Sequence, residues 1–260
     1  MARVRLPISG AIVEVRPPAG EEDALLAETE VADLGLRLGV TLVERLASAV
    51  EPATLDWAAL TRHDLDVALL AARATVAGDG IVTHLLCDGP ACGAPITVRF
   101  SVKEYVDHHR PRQPRTVEAD GTGRWRLRDG SASFRLPTVG DLLAVASLSD
   151  AERELARRCT DPPAPTGAVR RRVDAALAAL APSLSDRLGV SCPACSSSVD
   201  VWFDPLAYTL EELRSHARWV FADVHLLARS YHWTEERILA LPRPRRLFYV
   251  DQAMSERAAG

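Results

Sequence analysis

No apolar run in the 260 residues approaches the roughly 18 to 20 needed to span a bilayer, so membrane insertion is not expected. The N-terminus, MARVRLPISG, lacks the continuous apolar core of a secretory signal, which places the chain in the cytoplasm when it is made. Positive charge is not in excess. Lys and Arg number 31 against 35 Asp and Glu, which argues against a surface built mainly to neutralise phosphates. Also missing are a phosphate-cradling glycine loop, a G-x-S-x-G elbow and an H-E-x-x-H pair. The carboxylates, though plentiful, form no recognisable acid–base pair. No catalytic residue is therefore assigned, no small-molecule substrate is expected, and the chain is read as non-enzymatic. Cysteine is scarce and odd in number, five in all. In a reducing compartment, thiols held in close pairs point to metal ligands or small buried side chains rather than disulfides.

What remains is ordinary globular material, near half apolar and a quarter charged, and long enough to bury a sizeable core. Within it one unit occurs twice. CDGPACGAPITVRFSVKEY runs from Cys87 to Tyr105, and CPACSSSVDVWFDPLAY from Cys192 to Tyr208. With Cys92 set on Cys195, Ile96 meets Val199, Val98 meets Val201, Phe100 meets Phe203 and Tyr105 meets Tyr208 without a gap.

The repeat extends upstream. Val4 and Leu6, a Ser9-Gly10 turn, then Ile12, Val13 and Val15 read as a β-hairpin, followed by Pro17-x-x-Gly20 and an acidic helix start at Glu21. Trp125 to Ala146 offers a second hairpin with Asp129-Gly130 at its turn, then Pro137-x-x-Gly140 and Asp141. Leu142-Leu143-Ala144 echoes Leu25-Leu26-Ala27. The offset is 120 at the hairpin turn and 103 at the cysteines, so the second copy is shorter in its helical middle. The apolar alternation of the two hairpins is out of phase by one.

The helical middles carry their own signals. Thr61 to Asp64 and Ser149 to Glu152 resemble capping boxes. Leu65, Leu69, Ala72 and Val76 share a helical face, Gly78-Asp79-Gly80 stops that helix, and a strand follows from Ile81 to Leu86. Val169 to Leu180 reads as an alanine-rich helix ended by Pro182.

The expected fold is therefore α+β, with two tandem related modules, each a β-hairpin, helices and a zinc-ribbon-like knuckle, followed by a C-terminal helical region. The modules span 1–106 and 124–208, a polar linker covers 107–123, and the helical region covers 209–260. Pseudo-twofold packing of the modules is expected, with 160–167 a stiffer spacer inside the second.

Past Tyr208, the positions Leu210, Leu213, Ala217, Val220, Val224, Leu227 and Tyr231 alternate steps of three and four, the seam of one long helix. It packs either on its own domain or on a partner. Thr234 reads as an N-cap with Glu235 and Glu236 in the first turn, Pro242 as a stop, and a last short helix starts at Leu247.

Zinc favours four soft ligands in a tetrahedron, and a turn bearing two cysteines supplies half of one. Cys192 and Cys195 have the usual two-residue gap; Cys87 and Cys92 have four between them. The reading is one structural zinc held by Cys87, Cys92, Cys192 and Cys195, two ligands from each copy. The alternative has the four as small buried thiols, or as turns too far apart to share an ion. A redox role is disfavoured because a strand, not a helix N-terminus, follows Cys195. Cys159, beside Arg157 and Arg158, reads as a half-buried helix residue. His108 and His109 read as solvated linker residues. His225 and His232 are too far apart for an i, i+4 metal pair; the arginine runs 170–172 and 243–246 could touch an acidic partner but read first as solvated faces.

RWVFADVHLLARSYHWTEERILALPRPRRLFYV, Arg218 to Val250, resembles the C-terminal signature of the T-even phage baseplate hub assembly chaperone family, found in contractile-tailed phages and contractile injection systems. The agreement lies in Val224-His225-x-Leu227-Ala228-x-x-Tyr231-x-Trp233, then Glu235 or Glu236, Ile238-Leu239-x-Leu241 and the arginines before Tyr249. SFRLPTVGDLLAVA ahead of RRC, and DLDVALLAARATVAGDGI before the first thiol pair, are similar too. The resemblance implies a non-enzymatic baseplate or hub protein, resident in the particle or acting during its assembly. Its partners would be other baseplate or hub proteins, met through Trp219, Phe221, Val224, Leu227, Tyr231, Trp233 and Phe248. The first knuckle's wider gap departs from the family's commoner Cys-x-x-Cys. A zinc-ribbon protein that binds nucleic acid is the alternative; the net charge of −4 weighs against it.

Overall fold

The structure, a computed structural model, describes residues 1–33 and 35–259. It is an α+β protein of small antiparallel sheets and many helices, ending in a helical region. The first copy runs β1 (Ala2–Arg5), β2 (Ile12–Val15), α1 (Gly20–Glu28), α2 (Leu36–Leu46), β3 (Ala47–Glu51), α3 (Arg62–Ala77), β4 (Gly80–Leu86), β5 (Pro95–Ser101) and α4 (Val102–His108). After β6 (Val117–Ala119) the order repeats. It gives β7 (Trp125–Leu127), β8 (Ser133–Phe134), α5 (Val139–Val145), α6 (Ala151–Cys159), β9 (Thr160–Asp161), α7 (Gly167–Leu180), β10 (Asp186–Ser191), β11 (Ser198–Phe203) and α8 (Pro205–Ala217). Then come α9 (Val220–Tyr231), α10 (Glu235–Leu239) and α11 (Arg243–Ala259). No described helix is long and apolar enough to cross a membrane.

The duplication thus covers the strands and α-helices from the first hairpin to the helix after the second knuckle, except β6, which has no counterpart. Its register differs from the 120 expected at the hairpin. Leu6 N–H donates to Ala11 O (2.8 Å) as Leu127 N–H does to Ala132 O (2.9 Å), an offset of 121. Past the second strand the offset is 119. Arg16 binds Glu22 (2.8 Å) and Glu22 accepts from the Ala19 N–H (2.9 Å); Arg135 binds Asp141 (2.9 Å) and Asp141 accepts from the Thr138 N–H (3.0 Å). The apparent phase slip arises because copy 2 is two residues shorter between these points. Each Arg–acid pair closes the N-terminal turn of a helix, and Arg135 with Thr138 draws the Asp141 carboxyl down to about 2.

Two capping expectations change. Thr61 Oγ1 accepts from the Asp64 N–H (3.3 Å), but the Asp64 carboxylate turns away to accept from the N–H groups of Ile8 (2.9 Å) and Ser9 (2.8 Å). It thereby holds the first hairpin turn on α3. At the second site Asp150, not Ser149, is the cap, and its side chain makes no capping bond.

The segment 107–123 is more than a connection. β6 within it pairs antiparallel with β7, extending the second sheet to the order β6-β7-β8-β9, and Val117 is fully buried against the copy 2 core. The spacer after Cys159 likewise begins as β9, paired with β8. His109 is not solvated: its ring packs at a tilt against Tyr105 with centroids 4.4 Å apart.

The larger core belongs to copy 1 but is completed by copy 2. Leu206, Leu210, Leu213 and Ala217 of α8 are all buried in it. Three buried leucines stabilise this docking by roughly 2 kcal/mol each. Arg73 of α3, 2% exposed, pins the helix through Glu212 while donating to the carbonyls of Gly78 (2.6 Å) and Gly80 (2.8 Å). From the other side, the Tyr105 hydroxyl donates to Leu184 O (2.6 Å) and His63 Nδ1 to Pro182 O (2.8 Å). The two copies therefore interlock rather than sit side by side.

The seam 210–231 is two helices, not one. α8 ends at Ala217 and α9 starts at Val220, so the longest helix is α11, which begins at Arg243 rather than Leu247. Periodicity persisted across the break because each helix buries the same stripe, α8 on copy 1 and α9 on α10 and α11. Arg243 and Arg246 also depart from expectation. They are 6% and 1% exposed and bind Asp23 of α1 and Asp223 of α9.

Candidate metal centre

Each knuckle is a turn at the tip of a two-stranded ribbon. β4 pairs with β5 from Gly80 opposite Ser101 to Leu86 opposite Pro95, and β10 with β11 from Asp186 opposite Phe203 to Ser191 opposite Ser198. Just past the last pair, the N–H of Cys87 donates to Ala94 O (2.8 Å) and that of Cys192 to Ser197 O (2.9 Å). The amide two residues further on then turns back to the sulfur: Gly89 N–H to Cys87 Sγ (3.3 Å), and Ala194 N–H to Cys192 Sγ (3.4 Å). Residues Gly93 and Ser196, each following the second cysteine, have φ of 60° and 61°. These left-handed positions bend the chain into the returning strand.

The first knuckle fits its two extra residues without moving its sulfurs out of place. Ala91 takes φ 59°, and Gly89 lies so close to the thiols that a Cβ there would stand 3.2 Å from Cys87 Sγ and 3.4 Å from Cys195 Sγ. The glycine in CDGPACG was the signal for this close approach. Nothing in the sequence pointed to Ser197, whose hydroxyl lies 3.3 Å from Cys195 Sγ.

All four sulfurs lie within 4.8 Å of one another. Cys87 Sγ is 3.6 Å from Cys195 Sγ, and Cys92 Sγ is 3.8 Å from Cys192 Sγ. These are near-equal cross distances, first cysteine of one copy to second of the other, as a local twofold axis requires. Phe100 and Phe203, equivalent by the 103 offset, meet edge-to-face at 5.1 Å, and each packs on its own tyrosine: Phe100 on Tyr105 at 5.4 Å, Phe203 on Tyr208 at 5.5 Å. At the base of the ribbons this symmetry is broken, since Tyr105 also meets Phe203 edge-to-face at 5.1 Å. Ile96, Val98 and Val199 fill the space between the ribbons.

A separation of 3.6 Å is far beyond the roughly 2.05 Å of a disulfide. A tetrahedral ion with bonds of about 2.3 Å would set its sulfurs about 3.8 Å apart. The four thiols therefore have the donor set and spacing to hold one metal ion. Their protons are unequally held. The Gly89 N–H favours the Cys87 thiolate, but desolvation and the neighbouring thiols push it up to about 12. The Ser197 hydroxyl and N–H bring Cys195 down to about 6.

The remaining sequence-based candidates are scattered. Cys159 is 1% exposed and separate, 4.0 Å from Asp141, and burial pushes its thiol pKa up. His225 and His232 are exposed, and among the described residues the only metal-capable cluster is the four thiols. Of the residues expected to meet partners, Leu227 is fully buried and Val224 partly, both in the C-terminal cluster with Ile238, Val250 and Ala253. Tyr231 and Trp233 are half-buried and packed with Tyr249. Trp219, Phe221 and Phe248 do face solvent.

Fold and site together define an α+β protein built on a duplicated unit whose paired knuckles can hold one ion. Compared with protein-family models, curated proteins and solved structures, the chain finds no match in any of the three.

Proposed function

We propose that the chain is a non-enzymatic component or assembly factor of the baseplate or hub of a contractile phage tail or contractile injection system, stapled by one structural zinc. The four sulfurs at tetrahedral spacing carry the metal half of this reading. Four thiolates suit zinc, and they leave no open coordination position for a substrate, so the ion would tie the copies together rather than act chemically. The assembly half rests on the resemblance over Arg218 to Val250. Trp219, Phe221 and Phe248, 62%, 41% and 58% exposed, supply aromatic anchors for a partner.

Metal analysis of the purified protein should return one zinc per chain; none, two, or an iron centre would sink the zinc reading. For assembly, the chain should co-purify with other tail proteins encoded beside it, and Trp219→Ala with Phe248→Ala should weaken that capture. Surface substitutions are needed because a cut after Tyr208 would strip Leu210, Leu213 and Ala217 from the copy 1 core. Contractile particles that form normally without the chain would refute the role. The nucleic-acid alternative has one feature in its favour, Arg187 directly opposite the exposed Trp202 on the second ribbon. DNA binding that weakens steeply with salt would support it instead.

A further inference from the structure

The four thiols are not equally shielded. Cys87 and Cys192 are buried, Cys92 is half-buried, and Cys195 faces solvent. Two of the sulfur contacts cross between the copies, Cys87 with Cys195 at 3.6 Å and Cys92 with Cys192 at 3.8 Å. Sulfurs at this distance touch without bonding, and an approach of about 1.5 Å would bring either pair to disulfide length. Only the first of these contacts has an exposed member.

That contact also borders on Gly89. A Cβ there would stand 3.1 Å from Ser197 Oγ, 3.2 Å from Cys87 Sγ and 3.4 Å from Cys195 Sγ. A side chain at position 89 would therefore lie across the Cys87–Cys195 edge, and glycine leaves that edge bare. Cys195 meets the solvent, and Cys87 stands in contact behind it. The fifth thiol does not compete, since Cys159 is 1% exposed in the copy 2 half of the chain.

We propose that Cys195 is the residue of the metal centre that a peroxide oxidises, and that the product is a Cys87–Cys195 disulfide, which replaces the ion as the tie between the copies. The Cys195 thiolate attacks one oxygen of hydrogen peroxide. The O–O bond breaks, the sulfur becomes a sulfenic acid, and hydroxide leaves and takes a proton to become water. The Cys87 thiolate then attacks the Cys195 sulfur, the S–O bond breaks, and a second hydroxide leaves as water. Two thiolates give up two electrons in all, the peroxide takes both, and two protons come from solvent. A sulfur that ligates a metal is already deprotonated, so this chemistry needs no helix N-terminus beside Cys195. Cys92 and Cys192 are then the only donors left, too few to hold a tetrahedral ion, and it is released. Oxidation thus exchanges one staple for another at the same place: the ion leaves and the copies stay joined. The release rests on the zinc reading given above; the linkage does not.

Peptide mapping of the full chain tests it. The purified protein, its zinc measured first, is treated with equimolar hydrogen peroxide, alkylated with iodoacetamide in denaturant and digested with trypsin. Cleavage after Arg73, Arg99, Arg187 and Arg214 leaves Cys87 and Cys92 on one peptide and Cys192 and Cys195 on another. A bond between the copies joins the two peptides, whereas a bond within either knuckle leaves them apart. The expected product is the joined pair with Cys92 and Cys192 alkylated. Zinc should pass to a chromogenic chelator as the linkage forms, circular dichroism should stay unchanged, and dithiothreitol should restore zinc binding. A bond within a knuckle, a first link between Cys92 and Cys192, zinc retained by the linked chain, or thiols that stay reduced in excess peroxide overturns the proposal. A chain that carries no zinc at the outset refutes the metal reading alone, and the joined peptides then decide the linkage in the same way.

Discussion

Asp23→Ala is the sharpest single perturbation of the join between the C-terminal helices and copy 1. The Asp23 carboxylate is wholly buried and accepts from Nε (3.1 Å) and Nη2 of Arg243 and from Nη2 of Arg246 (2.5 Å). Arg246 Nε also reaches Asp223 (3.1 Å). Two guanidiniums are thus balanced by two carboxylates, although Nη1 of each arginine has no hydrogen-bond partner. Truncating Asp23 would leave two buried cations sharing one carboxylate. Breaking a buried pair in this way costs about 3–5 kcal/mol. In a chain of this length, each kcal/mol lowers Tm by about 2–4 °C, so a fall of roughly 6–20 °C is expected. Urea titration followed by tryptophan fluorescence and circular dichroism measures the loss directly. Unfolding of α9–α11 ahead of the rest would appear as a first transition in both signals, because these helices are lost and they carry or adjoin Trp219 and Trp233. Replacing Asp23, Asp223, Arg243 and Arg246 together by apolar residues should recover much of the loss, because no charge is then stranded. A cost below about 1 kcal/mol for Asp23→Ala would refute the reasoning, since it would mean that the arginines reach water when the carboxylate is gone.

Gly20→Ala attacks the same join sterically. A Cβ there would lie 2.6 Å from the backbone of Leu239 and 2.9 Å from Arg246 Nη1, so a loss of about 1–3 kcal/mol is expected by denaturation, whereas Gly35→Ala, with open space around it, should cost little. Asp66, 1% exposed, is raised by burial from 3.8 to about 7 despite Arg62 at 2.6 Å. The stability it contributes is full below its unfolded value and lost as pH rises through about 7. Relative to Asp66→Asn, the wild type should therefore lose on the order of 4 kcal/mol between about pH 4 and 8; a flat difference across that range would show that Asp66 is ionised throughout.

The knuckles were legible in the sequence because everything that makes them is local: two thiols, a turn, an alternating strand and a tyrosine at fixed spacing. The hairpin register was not. A gapless comparison settles on 120, midway between the true 121 at the turn and 119 at the Arg–acid pair, and only the hydrogen bonds of Leu6 and Leu127 separate the two. β6 escaped notice because three residues are too few for periodicity, and Val117 is its only wholly buried member. The run from Arg243 to Arg246 was read as solvated because charge in sequence carries no sign of its partner. Asp23 lies 220 residues away, yet binds Arg243.

The arrangement of the copies also explains why their helices have diverged. With α8 of copy 2 serving as a wall of copy 1, copy 1 must keep apolar Leu65 and Leu69 on α3, and both are fully buried. Copy 2 receives only the short α4 in return. Its equivalent positions on α7 are Arg170 and Asp174, which pair with each other across 2.8 Å at the surface. Twofold symmetry therefore holds where both copies contribute alike, at the sulfurs, and fails where one helix is long and the other short. An ion bound at the axis would fix the tips of both ribbons, and with them the N-cap of α8, Asp204, which Arg62 of α3 holds at 3.2 Å. The thiols and the copy 1 core are in this way parts of one mechanical unit, although Leu206 lies 11 positions after Cys195.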